Sequence, residues 1–94
     1  MKESYLSEII THHNEAQDST RTTVYKAAIA HLMGDALNLQ YELTFSDSDE
    51  DGQNIAADLA ASCLKVLNAD ILEVADYVEE INKKVEAVKD FLME

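Results

Sequence analysis

The most specific chemistry in this sequence belongs to four aspartates. Asp47, Asp49 and Asp51 stand at alternate positions, Gly52 follows at once, and Asp58 comes seven residues after Asp51. Hard cations take oxygen ligands, and carboxylates are side chains that supply them. A second set is imidazole and carboxylate: Glu8, His12 and Glu15, and separately His31 with Asp35. On helices those spacings share a face. A di-iron bundle needs Glu-x-x-His motifs, which are absent, and no histidine lies beyond His31. Zinc would need a fourth ligand, and Cys63, the single cysteine, sits alone in an apolar stretch. These histidines and acids read as surface residues of amphipathic helices. Cys63 reads as a small buried hydrophobe with no base to activate it. No Ser/His/Asp spacing, phosphate-cradling glycine loop or dinucleotide fingerprint occurs. The expectation is a protein that is not an enzyme.

The stretch from Asp47 to Asp58 resembles the calcium loop of EF-hand and dockerin modules over a dozen residues. In such loops positions 1, 3, 5 and 12 supply oxygens and a glycine at position 6 makes the bend. The resemblance implies Asp47, Asp49, Asp51 and Asp58 as ligands, with Gln53 through its backbone. The pattern departs at position 8, where Asn54 replaces the usual aliphatic residue and Ile55 comes one place late. Asp58 stands where EF-hands have glutamate, and a second loop is missing. The same residues also read as a solvated acidic turn, with Asp51 and Gly52 capping a following helix. Apart from calcium, no cofactor is expected.

The elements that must position these residues are helical. The 94-residue chain has no proline and two glycines, Gly34 and Gly52, so few turns punctuate it. Tyr25, Ile29, Leu32, Ala36, Leu39 and Leu43 step by three and four, the signature of a packed helix. After the acidic turn, Ala57, Ala60, Leu64, Leu67, Ile71, Val74, Val78, Ile81, Val85, Val88 and Leu92 continue such a heptad stripe without a miss. Tyr5, Leu6, Ile9 and Ile10 begin a shorter segment, and Asp18 to Thr23 favour a kink or restart near 18–20, with Asp18 or Ser19 as N-cap.

These patterns predict an all-α domain over 1–94: an antiparallel helical hairpin with coiled-coil-like packing, helix 1 over about 3–45, helix 2 over about 53–93, and an acidic turn at 46–52. Each arm would be about 60 Å long. Apolar residues over 24–45 and 55–78 exceed what one partner helix covers. The predicted remedy is a homodimer forming a four-helix bundle, because the stripe runs undisturbed through Asn68–Asp70. A break near 18 or near 68–70, folding the chain back into a compact bundle, is the alternative.

Net charge is −12, and residues 35–80 hold twelve acids against Lys65 alone. Such a chain repels nucleic acid and anionic membranes, so neither is expected as a direct partner. In a hairpin, this acid would gather at the tip and upper stem and leave the termini neutral. One cysteine and the lack of an apolar leader or spanning run predict a cytoplasmic protein.

Function is expected to be protein–protein interaction, as adaptor, chaperone or assembly subunit, through Leu32, Met33, Leu37, Tyr41, Leu59, Cys63 and Val66. The identity of the partner is open. The alternative is an acidic inhibitor that mimics nucleic acid in a basic groove through Asp70, Glu73, Asp76, Glu79 and Glu80. The third is the calcium module.

Overall fold

The computed structural model describes residues 2–45 and 50–94. Four helices follow one another: α1 (Lys2–Asp18), α2 (Thr22–Phe45), α3 (Glu50–Asn68) and α4 (Val74–Met93), with a 3-10 turn at Ile71–Glu73. Side-chain contacts give the directions. Tyr5 meets Glu42 and His12 meets Asp35, so α1 and α2 are antiparallel. Gln53 reaches Leu43 while Lys26 reaches Leu67 and Ala69, so α2 and α3 are too. Lys65 pairs with Glu80 and Asp58 with Lys84 across α3 and α4. His13 and Gln17 bond Asn82, bringing α1 back against α4. The result is an up-down-up-down bundle.

The helical class is as the sequence predicts, but two unbroken arms are not present. An arm of forty residues needs about 60 Å, whereas the longest extent of the molecule is 39 Å. Both suspected breaks occur. At the first, the Ser19 hydroxyl donates to the Glu15 carbonyl at 2.7 Å and the Ser19 amide to Ala16 at 3.2 Å. Ser19 therefore ends α1 instead of capping α2, whose first carbonyl acceptor is that of Arg21, bonded by the Tyr25 amide.

The second break, unlike the first, falls in the middle of a continuous apolar stripe. The Lys26 ammonium donates to the carbonyls of Leu67 (3.3 Å) and Ala69 (2.5 Å). These are the end carbonyls a helix leaves unsatisfied, where a cation also meets the negative end of the helix dipole. Asp70 is extended, and its carbonyl accepts from the Glu73 amide. Ile71, expected on the seam, is exposed, as is Leu72 beside it.

Releasing α3 from α4 lets each choose its own phase. In α2 the buried set is the predicted one, Tyr25, Ile29, Leu32, Ala36, Leu39 and Leu43, and in α4 it is Val74, Ile81, Val85, Val88 and Leu92. In α3 the core takes Ala56, Leu59, Cys63 and Val66, one position before the predicted Ala57, Ala60, Leu64 and Leu67, of which Ala60 is buried as predicted and Leu67 packs partly buried against the cluster. Leu64 is left half exposed. With Ile9 and Ala16 of α1 these residues form one cluster.

The last part of the predicted acidic turn, 50–52, is helical. Glu50, Asp51 and Gly52 belong to the first turn of α3, and residues 46–49 lie outside the described residues. Gly52 is there for space: a Cβ would collide with the Phe91 ring and stand 3.0 Å from Leu43 Cδ1. Gly34, in mid-α2, has nothing within 4 Å of an added Cβ. The two glycines should respond oppositely to alanine. Gly34→Ala gains about 0.5–1 kcal/mol from helix propensity alone. Gly52→Ala loses about 1 kcal/mol, since overpacking outweighs that gain. Urea titrations in dilute solution read both; equal responses would mean that the Phe91 ring does not cover Gly52.

Candidate interaction surface

Of the seven apolar residues predicted to bind a partner, four are unavailable. Leu32, Leu59, Cys63 and Val66 are wholly buried. They are the seam of the bundle, which becomes internal once each arm folds into two helices. Met33 is half-buried against the core. Leu37 and Tyr41 remain outside, 46% and 69% exposed, and Phe45, one turn beyond Tyr41, is 71% exposed. The Tyr41 and Phe45 rings lie 4.8 Å apart.

These three belong to a longer face. At 100° per residue, Thr23, Ala27, Ala30, Gly34, Leu37 and Tyr41 fall opposite the buried stripe of α2, with Asn38, Thr44 and Phe45 beside them. None carries a formal charge. All three charged residues of α2 are held elsewhere. Lys26 is bonded to the end of α3. Asp35 is 6% exposed and faces His12. Glu42 accepts a hydrogen bond from the Tyr5 hydroxyl, which pushes that phenol up to about 12. The neighbouring strip of α3 is uncharged as well. Gln53 points toward α2, and Ala57 and Leu64 lie on the same side of the helix, with Ala60 between them buried in the core, while Asp58 and Lys65 turn toward α4. In a chain of net charge −12, two adjacent helix faces thus carry none of that charge. Sequence reading missed this face because its small members are not conspicuous. The available signal was the 3.5-residue spacing of Thr23, Ala27, Ala30, Gly34, Leu37 and Tyr41.

Along its other edge the face borders α1. An open cleft of about 780 Å³ lies between Tyr5, Glu8, Asn38, Tyr41, Glu42 and Phe45. Deeper in the same seam, His12 Nδ1 and Asp35 Oδ2 are 2.5 Å apart, and the His12 ring stacks on His31 with centroids 5.2 Å apart. The two imidazole–carboxylate sets that the sequence keeps separate therefore meet across α1 and α2. Among the described residues no group of three or more such side chains converges on a point that could hold a metal.

Burial pushes the Asp35 carboxyl above its ordinary 3.8 and outweighs the His12 contact, which pulls it down; Glu8 adds to the rise. The folded chain then binds that proton more tightly than the unfolded chain does. The stability Asp35 contributes is fully present below pH 3.8 and is lost as pH rises through the higher folded value. Asp35→Asn keeps an acceptor for His12 and removes the charge. The variant should gain on the wild type as urea titrations move from pH 4 to pH 7, and a constant difference across that range would refute a cost from the buried charge.

The predicted acidic set is all on the surface at the α3–α4 corner and on α4, but two of its five members are paired. Glu80 lies 3.4 Å from Lys65, and Glu79 lies 3.5 Å from Lys83. The Glu80 carboxyl is held below its usual range by Ser62 first and by Lys65 next. Nor does the acid gather at one end. Glu50, Asp51, Asp90 and Glu94 lie at the end with the termini, and Asp18, Asp70, Glu73 and Asp76 at the other, because the chain between 35 and 80 traverses the whole bundle. Of the calcium set, Asp47 and Asp49 lie outside the described residues. Asp51, Gln53 and Asp58 are within α3, so position 5 onward is helix instead of a loop wound around an ion.

Comparison with protein-family models gives no match, and comparison with curated proteins and with solved structures gives none either. No helix among the described residues is long and apolar enough to cross a membrane.

Proposed function

We propose that this chain is a protein–protein interaction module, an adaptor or assembly subunit that acts by binding and not by catalysis, and that it docks through the outward face of α2. One observation carries the reading: the outward face of α2 presents Leu37, Tyr41 and Phe45 to solvent, with the helix's three charged residues, Lys26, Asp35 and Glu42, at its edges or in the seams beside it, in a protein where more than a quarter of the residues are charged. Scattered apolar residues are normal on a surface, but a contiguous neutral face with aromatic members is the composition of an interface centre. The neighbouring neutral strip of α3 extends the same surface.

The test compares immobilised wild-type chain with Tyr41→Glu and Phe45→Glu variants, using whatever the wild type retains as the probe. Retention should survive 0.5 M salt and vanish with either variant, because apolar contacts are not screened. Retention that ignores both variants and collapses with salt would instead locate binding on the acidic surface, as in the nucleic-acid-mimic alternative.

A further inference from the structure

We infer that the cleft between α1 and α2 is a binding site for a small alkylated ammonium ion, held by the rings of Tyr5, Tyr41 and Phe45 and the carboxylates of Glu8 and Glu42. This site stands apart from the docking of a partner protein and does not depend on it. Local spacing builds its two walls. Tyr5 and Glu8 are three apart on α1, and Asn38, Glu42 and Phe45 step by four and three along α2, with Tyr41 beside them. The antiparallel pairing of the two helices sets these residues around one open space of about 780 Å³, together with Ser4. That volume is within the range of small-molecule sites. None of the seven residues lining it is basic.

The composition of the walls selects the ligand. Aromatic faces attract cations through the ring quadrupole, and quaternary ammonium groups are bound in this way. The Tyr41 and Phe45 rings, 4.8 Å apart and tilted by 55°, belong to the α2 wall, and the Tyr5 ring belongs to the α1 wall. Two carboxylates supply the opposite charge, one from each helix. A hard metal ion would need about six oxygens at close range, and no three acidic, histidine or cysteine side chains among the described residues converge to hold one. A guanidinium is matched best by both oxygens of one carboxylate. Here Glu42 already accepts from the Tyr5 hydroxyl, and Glu8 is hydrogen-bonded to Asp35. An alkylated ammonium asks for less: negative charge nearby and ring surface against its methyl groups. The bond from Tyr5 to Glu42 also fixes a ring and a carboxylate relative to each other before any ligand arrives, which lowers the cost of binding.

Titration of the full chain with choline at constant ionic strength, followed by amide NMR, tests the site. Choline should shift Tyr5, Glu8, Tyr41, Glu42 and Phe45 together and saturate at roughly millimolar concentration. Its neutral carbon isostere, 3,3-dimethylbutan-1-ol, should bind at least about tenfold more weakly, and so should ammonium, which has the charge without the methyl groups. Tyr41→Leu keeps an apolar side chain and should weaken choline at least about threefold. The double variant Glu8→Gln, Glu42→Gln should weaken it at least about tenfold. Glutamine retains a carbonyl acceptor at both positions, so circular dichroism should stay at the wild-type signal. Equal binding of choline and its isostere overturns cation recognition. Shifts centred on α4, or no saturation by about 100 mM, overturn the site. A double variant that binds choline as tightly as the wild type overturns the part given to the two glutamates.

Discussion

Leu59→Ala lowers the unfolding free energy by about 3 kcal/mol, whereas Leu64→Ala, five residues on, changes it by no more than about 0.5 kcal/mol. Leu59 is wholly buried in the bundle and Leu64 is half exposed. Truncating a buried leucine costs the transfer of the lost methylenes and the cavity left behind. A domain of this length has about 5–14 kcal/mol of stability in total, so the loss is a large share and should lower the melting temperature by roughly 12–24 °C. The pair measures which of two adjacent stripes of α3 faces inward. In an unbroken hairpin arm, with Leu64 and Leu67 on the seam, the ranking would reverse. A calorimetric scan of both variants decides it.

The second large effect is kinetic. Cys63 should react with an aromatic disulfide reagent at pH 8 at least about a thousandfold more slowly in the native protein than in urea. Two causes act together. The thiol is inaccessible, so reagent reaches it only when the bundle opens, and an opening free energy near 5 kcal/mol leaves about one molecule in several thousand open. Burial also pushes the thiol up to about 12 from an ordinary 9.0, with Asp35 adding to the rise, and only the thiolate attacks. The same shift has a consequence at alkaline pH. The folded chain keeps a proton that the unfolded chain releases near pH 9, so the stability from Cys63 is present below pH 9 and drains away as pH climbs toward 12. Cys63→Ala should flatten that alkaline decline. A native rate within tenfold of the unfolded one would put the thiol on the surface.

Much of this molecule was legible in the sequence. The lack of proline, the scarcity of glycine and the three-four spacing of Tyr25 through Leu43 determine a helical chain and the inward face of α2, because periodicity of burial is a local property of the helix. The serine- and threonine-rich stretch after Asp18 determines a break, because such side chains bond their own backbone. The surplus of apolar residues over 24–45 also determines that something must lie outside the core.

The tertiary structure alone decided the rest. Asn68–Asp70 offers residues at which a helix can break, but the apolar stripe runs through them undisturbed, so the local sequence does not decide between a break and a continuous helix. Lys26, forty-one residues earlier, supplies the ammonium that takes the final carbonyls, and a contact between distant residues has no period to read. That break shifts α3 by one residue, moves Leu59, Cys63 and Val66 from a presumed docking surface into the core, and turns Ile71 outward. It also sends the acidic middle of the chain to both ends of the bundle instead of one. The neutral face of α2 depends equally on long-range partners. Lys26, Asp35 and Glu42 are charged in the sequence, and Leu67, His12 and Tyr5 on neighbouring helices draw them to the edges of that face.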